Sequence, residues 1–600
     1  MDANQKKRYM IFAYLFIVFG SCLVILNTQL PSAVGGMYSR GETGFLNNIS
    51  FTSETEIRPV DYYVGKIEDL WLGPLTSVVS GGLFLLFCLW FLQGAGRTRF
   101  AVAVLLYLLL SRFQVLFNPP YGDGLFGVLS EPLWLVRHHF DWISLLHQKT
   151  YVWGGPVQYP ESIYPQFIAL LLYFSSSPPI FLFLNHLLVF SAGAILVALV
   201  REILMEFFDA RRATLGAILF LALPIIQCHV ELLNMEIVCS CFAAGALLMA
   251  MRNNVFMASA LATFSMMVKV SGAFTVAMLL GACLLSFFKE PHKKKIMADI
   301  FWVLGACAIA LYLLSLRAVA IGHANFSLTP ARAALRLMPS LFIFRLFLFL
   351  SVFYLGQCIF WWISGGTPEK KGNVFLNGHY KSLTVFMITA AWFLLHLKAP
   401  TMIPRYTVLV IPFILSFFVY LFSGLVKKDI YFTRTMVALI LFALLCSHGL
   451  LFIGQPVNGE VNHNERSLEY RNVLAVYRRT AEEIEKNGSS FAFVGDILMA
   501  QILFFKEAGY IRKSPENVFV YGSGATHEGI RMVDELQGFK SFEVLWIAET
   551  SADPHYLADF PIAPEDTILK EIWAGDKRIT LFVGGLSILR LGSAMGRSLP

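Results

Sequence analysis

The chain has 600 residues, 56% of them hydrophobic and 14% charged, with a net charge of +7. A soluble domain would carry about a quarter charged residues, so a soluble globular protein is excluded. A transmembrane barrel is excluded too, because barrel strands alternate while the apolar residues here form unbroken runs such as 181–200 and 436–454.

Runs of about 20 apolar residues match the bilayer core, and the sequence predicts a polytopic α-helical membrane protein. Its positive charge falls mostly in short loops between helices and calls for no nucleic acid. All nine cysteines lie in or beside apolar segments, and the pair Cys239 and Cys241 has no further metal-ligand spacing around it. Ordinary apolar packing accounts for them.

Met1 to Arg8 is polar and basic, and the first apolar run continues to about Leu26. It reads as a retained helix rather than a cleaved signal. Basic clusters mark the cytoplasmic side: Lys6-Lys7-Arg8, Arg97 with Arg99, Arg211-Arg212, Lys289 with Lys293-Lys294-Lys295, Lys370-Lys371 with Lys381, and Lys427-Lys428. With the N-terminus inside, helices near 72–93 and 100–117 bring Asp123 outside. Six apolar segments then run to Lys293, at 163–177, 181–204, 213–229, 237–251, 254–268 and 270–287. An odd number of crossings is required. The segment 163–177 is short and ends in Ser-Ser-Ser-Pro-Pro, so it is expected to lie in the interface or only dip in. Helices near 298–317, 339–363, 382–397, 406–425 and 432–453 follow, for a total of about thirteen spans.

The last quarter differs. Residues 456–600 hold no cysteine and much of the charge. Residues 467–486 have helical spacing, while 491–496, 518–521 and 542–548 read as strands. Residues 568–591 read as strand, a turn at Gly575-Asp576, and strand. The expectation is two units: a transmembrane domain over 1–455, with its external catalytic loop at about 118–165, and a small extracytoplasmic α/β domain over 456–600.

Asp123 stands in Asn118-Pro-Pro-Tyr-Gly-Asp-Gly124, just past an apolar helix. A carboxylate at a membrane surface can take the proton of an incoming hydroxyl. It can also hold a divalent cation against a phosphate leaving group, which makes such a cation the one cofactor to consider. Asp123 could equally cap the amphipathic helix that follows, since Asp is a favoured N-cap. That stretch, broken by Pro132, carries Glu131, Arg137, His138 and His139 and leads to Asp141-Trp142 and then Tyr159-Pro160. His138, His139 and Asp141 are read as a wet helix edge before a metal site.

Four further positions carry charge where function would want it. Glu231 and Glu236, in His229-Val-Glu-Leu-Leu-Asn-Met-Glu236, are either substrate-facing acids or solvated loop carboxylates. Lys269 is either a cation for a phosphate or a lysine snorkelling to the interface, since mid-bilayer lysine costs about 2.5–3.5 kcal/mol. Arg405, followed by Tyr406, offers phosphate a planar fork of donors, or is an interfacial anchor. Arg332, Arg336 and Arg345 have no assigned role. The segment Tyr521-Gly-Ser-Gly-Ala-Thr-His527 is a turn rather than a dinucleotide fingerprint, and no Walker A loop is present.

The pattern Asp123…Asp141-Trp142…Tyr151…Tyr159-Pro160 resembles the first catalytic loop of the GT-C superfamily of integral-membrane glycosyltransferases, most nearly the branch of aminoarabinose transferases and protein mannosyltransferases. The likeness is close over the loop and loose up to about residue 425. It implies sugar transfer from a polyprenyl-phosphate-linked donor to a lipid, glycan or protein acceptor, at the outer face of the cytoplasmic membrane. It implies Asp123 as the base, with Arg405, Lys269 and Tyr406 at the donor phosphate. Glu236, Glu231, Asp141, Tyr159, Arg137 and His138 would then surround the substrates, and membrane lipids would be the setting. The chain departs from the family in two ways: Gly124 stands where a second acid is usual, which weakens a metal site, and the loop is the second external one. An O-antigen ligase or polymerase would rely on external Arg and His residues and have no need of Asp123. A transporter would show paired repeats, and none is visible. An envelope scaffold would tolerate loss of Asp123, Lys269 and Arg405 together.

Overall fold

The computed structural model describes residues 78–117, 120, 124, 131–147, 162–175, 178–289, 299–309, 311–313, 408–426 and 428–446, together with strands within 490–585. Asp123, Tyr159, Arg405 and Tyr406 lie outside the described residues. So do Arg332, Arg336, Arg345, the first apolar run, the expected helices near 339–363 and 382–397, and the helical stretch 467–486.

The helical part begins with α1 (Val78–Leu92) and α2 (Arg97–Ser111). Short helices α3 (Glu131–Arg137), α4 (Trp142–His147) and α5 (Tyr164–Phe174) follow. Then come α6 (Pro178–Met205), α7 (Ala210–Ala222), α8 (Pro224–Glu231), α9 (Glu236–Met251), α10 (Val255–Val268) and α11 (Ala273–Lys289). The later helices are α12 (Asp299–Leu313), α13 (Ile411–Leu425) and α14 (Asp429–Cys446). Helix α6 is central, packing on α2, α7 and α9, while α9 also packs on α10. Its 28 residues extend about 42 Å, beyond the bilayer core of about 30 Å. Among the described residues α6 is the one helix that alone is long and apolar enough to cross a membrane. The bent pair α7–α8 is a second if it forms one span.

One expected helix is two. The segment 213–229 was expected to be continuous, but α7 stops at Ala222 and α8 leaves it at 65°. Pro224 stands at the first turn of α8, where its missing N–H costs nothing, and it disfavours a helical residue 223 before it. Leu223 is accordingly extended, at φ −61° and ψ 132°.

Contacts fix which loops share an end. The buried Arg201 of α6 donates to the Ala95, Gln93 and Leu92 carbonyls and to Thr214 Oγ1, with its guanidinium over the Phe100 ring. These are carbonyls at the end of α1, where a helix leaves acceptors without intrahelical partners. Arg252, capping α9, meets Glu202 of α6 at 2.9 Å and Glu206, just past its end, at 3.0 Å. Arg212 of α7 pairs with Asp429 at the start of α14. Arg97, Arg212 and Arg252 therefore share one end of the bundle, and α2, α8, α9 and α10 bring Arg112, Glu231, Glu236 and Lys269 to the other.

Helix α5 stays at that second end. Its preceding residue Ile163 donates to the Met267 carbonyl at 2.9 Å, next to Lys269. It closes at Phe174, four residues before the start of α6, and α6 runs its whole length to the first end. Eleven residues extend only about 16 Å. Helix α5 packs on α3 around Trp134, Leu135, Leu145 and Ala169, and leaves Tyr173 61% and Phe174 78% exposed. Elsewhere Trp90, Phe301 and Leu311, each 69% exposed, stand on outer helix faces. Apolar surface on this scale suits a lipid neighbour.

The strands are β1 (Ser490–Val494), β2 (Asn517–Tyr521), β3 (Arg531–Met532), β4 (Glu543–Glu549), β5 (Thr567–Ala574) and β6 (Lys577–Gly585). They form one sheet in the order β3-β2-β1-β4-β6-β5. Strand β1 runs parallel to β2 and β4, with Val494 opposite Tyr521 and Ala548. Parallel neighbours need crossovers. Strand β6 is antiparallel to both β4 and β5, and the β5–β6 hairpin spans Gly575-Asp576. Every expected strand is present, and β3 was not foreseen.

Candidate functional site

The site is built on a turn of four residues between α8 and α9. Glu231 closes α8 and Glu236 opens α9, and both side chains are buried. Each meets a cation from the end of another helix. Glu231 Oε1 lies 3.0 Å from Nε of Arg112, which caps α2. Glu236 Oε1 accepts from Lys269 Nζ at 2.5 Å, and Lys269 caps α10. Helix ends help hold all but Glu231. A carboxylate is favoured at an N-terminus, as for Glu236, and a cation at a C-terminus, as for Arg112 and Lys269.

These pairs decide against one of the two alternatives at each position. Glu231 and Glu236 are not solvated loop carboxylates, for both are about 5% exposed. Lys269 does not snorkel to water, for it is 8% exposed. A lone buried charge would be expelled or neutralised, whereas a paired and hydrogen-bonded one can stay.

Both ends of the loop that carries Asp123 rest on this turn. A Cβ added at Gly124 would stand 2.7 Å from the Leu233 carbonyl oxygen and 2.7 Å from Asn234 Oδ1. Position 124 therefore has no room for a side chain, which is a physical reason for glycine where a second acid was looked for. At the other end, Ser162 Oγ donates to the Val268 carbonyl at 2.6 Å and touches Met235 Sδ at 3.8 Å. Below the turn, Ser265 Oγ donates to the Cys239 carbonyl at 2.9 Å and ties α10 to α9.

Arg137, His138 and Asp141 stand apart, on the exposed corner between α3 and α4. Asp141 caps α4: its Oδ2 accepts from Ser144 Oγ at 2.6 Å and its Oδ1 from the Ser144 N–H at 3.0 Å. These bonds, the side-chain one foremost, hold its carboxyl below the usual carboxylate range. The cap weighed for Asp123 concerns the helix before this one and lies outside the described residues. His138 stacks on Trp134 with ring centroids 4.1 Å apart, its Nδ1 2.9 Å from the Trp134 carbonyl oxygen. His139 and Phe140 have left-handed φ values of 53° and 61°, an arrangement that costs non-glycine residues about 1–2 kcal/mol each.

Two charged residues are more buried than their sequence context suggests. Arg112 at the end of an apolar helix looks like any interfacial anchor, and only its partner 119 residues away distinguishes it. Glu131, on the stretch expected to be amphipathic, is 1% exposed. Among the described residues no three His, Cys, Asp or Glu side chains converge. Glu231 and Glu236 are each already matched by a cation. Asp123, the one ligand the sequence offers a divalent cation, lies outside the described residues.

No family model and no curated protein matches the chain. Among solved structures it is similar to the crystal structure of ArnT from Cupriavidus metallidurans in the apo state, at 13% identity and a TM-score of 0.49, over 84% of this chain and 99% of that one. It is also similar to the crystal structure of ArnT from Cupriavidus metallidurans bound to undecaprenyl phosphate, at 13% identity and a TM-score of 0.44, over 81% of this chain and 98% of that one.

Proposed function

We propose that the chain is a membrane glycosyltransferase of the GT-C type, moving a sugar from a polyprenyl-phosphate-linked donor to a lipid, glycan or protein acceptor. The observation that supports this most is the shared seat: one turn, flanked by two buried ion pairs, carries both ends of the loop that holds Asp123. A loop of this length pinned at both ends to a rigid bundle is how a reactive side chain is held in place. The chain would lie in the cytoplasmic membrane with its basic end inside. The two units are 1–455 and 456–600, the second outside with its sheet.

In this scheme the acceptor hydroxyl attacks the anomeric carbon while Asp123 takes its proton. The bond from that carbon to the phosphate oxygen breaks, and the lipid phosphate leaves with the electron pair. Lys269 has three N–H donors, one of them directed to Glu236. With Arg405 and Tyr406 it would stabilise the departing phosphate. The aromatic face of α5 lies where a prenyl chain would pass from the lipid to the site. Arg137 and His138 belong to the headgroup side, and no step passes through a metal.

The test compares glycolipids and glycoproteins by mass spectrometry from wild-type cells, a deletion strain and Asp123→Asn at matched protein level. A glycan lost in the deletion and lost again in Asp123→Asn is the expected result. A wild-type glycan profile in Asp123→Asn would overturn the role of Asp123.

A further inference from the structure

We infer that the Arg112–Glu231 ion pair is a positioning device for the catalytic loop. It fixes the turn on which Gly124 rests, and through Gly124 it sets the place of Asp123. The geometry needs no assumption about the reaction, and only the effect on rate rests on the proposed transfer.

Several observations carry it. The turn 232–235 is short and is tied down at both ends by charge, Glu231 to α2 and Glu236 to α10. Arg112 and Glu231 have side chains only 7% exposed, so water does not weaken their attraction as it would at a surface. Arg112 is also held from its own side, its Nη1 donating to Ser111 Oγ at 2.8 Å. The loop meets the turn with its backbone: at Gly124 even a methyl group would collide with the Leu233 carbonyl and the Asn234 amide. Contact that close transmits a shift, because neither side has slack. Release of the Glu231 end should let the 232–234 segment move, and residue 124 with it. The phosphate would still find Lys269, whose partner Glu236 is untouched.

The consequence is a separation of effects. A misplacement of about 1 Å at a reacting group can cost about 100-fold in rate. Loss of this pair should therefore lower kcat by about 10- to 100-fold and leave the KM for the lipid donor near its wild-type value.

The experiment uses the full-length protein in lipid nanodiscs: wild type, Arg112→Gln, Arg112→Lys, Glu231→Gln and Gly124→Ala. Three readouts are taken on samples with wild-type elution and thermal midpoint: hydrogen exchange over 118–130, binding of a polyprenyl monophosphate, and sugar transfer. Faster exchange over 118–130 in Arg112→Gln and Glu231→Gln, with unchanged polyprenyl monophosphate binding and reduced kcat, is expected. Arg112→Lys should recover part of both. Unchanged exchange over 118–130 overturns the inference, and so does loss of polyprenyl monophosphate binding, which would make Arg112 a phosphate ligand. If the ion-pair variants fail to fold, Gly124→Ala decides with the pair intact: the same kcat and exchange effects support the inference, and wild-type behaviour overturns it. If wild type transfers no sugar, the proposed function fails, while exchange and binding still decide this question.

Discussion

Lys269 and Arg112 stay inside a helical bundle because each meets a glutamate at the end of another helix. The same arrangement makes removal of one partner costly, since the other charge is left buried. Glu236→Ala is expected to destabilise the protein by about 3–5 kcal/mol, seen as a clear fall in its thermal midpoint in detergent. The double variant Glu236→Leu with Lys269→Met should recover most of the loss, since replacing a whole buried pair by apolar groups is often neutral. Asp141 behaves differently because it is exposed. Its carboxyl is held below the usual range, so it contributes stability above the unfolded value of about 3.9, and that contribution is lost as pH falls through the lower folded value. Hydrogen exchange in α4 should therefore rise at acid pH in wild type, whereas Asp141→Asn should show no such dependence and should transfer sugar normally at neutral pH. The charged residues at 231, 236 and 269 were visible in the sequence as oddities, yet their meaning was not. An ion pair across 33 residues, such as Glu236 with Lys269, leaves no local pattern, and a partner for Arg112 is farther still.

At the scale of elements, the helices were legible wherever an apolar run had clear ends. Asp209 accepts from the Arg211 and Arg212 N–H groups to start α7, a cap whose chemistry is local. The break at Leu223 was equally local, since Pro224 announces it, but the apolar character continues across the break and conceals it. Strand β3, two residues long, carries no alternation to detect. Helix α5 makes the sharpest topological claim, since it begins and ends at one end of the bundle. Cysteines introduced at Trp142 and Ser175 should therefore both react with a membrane-impermeant maleimide in intact cells, while one at Arg211 should react only after lysis. Labelling of Trp142→Cys and Ser175→Cys from opposite sides would mean that α5 crosses.

For the whole molecule, two patterns agree. Long apolar runs and low charge ask for a lipid solvent, and large apolar side chains on the outer helix faces are where that solvent would be. Among the described residues, Arg97 and Arg212, which the sequence groups at one side, share one end of the bundle with Arg252. The paired glutamates take the other end, beside the loop of Asp123. A division of charge of this kind is what orients a polytopic chain in a membrane. The order of the sheet was not legible, because parallel pairing of β1 with β2 and β4 is set by crossovers rather than by any strand's own residues.

The central claim is sugar transfer driven by Asp123, and its stereochemistry is the most direct test. The purified chain, in vesicles with a polyprenyl-phosphate sugar and the acceptor identified by the mass comparison, should form a glycoside of inverted anomeric configuration. One polyprenyl phosphate should be released per glycoside, and Asp123→Asn at equal protein should form almost none. Retained configuration, or undiminished transfer by Asp123→Asn, would contradict it.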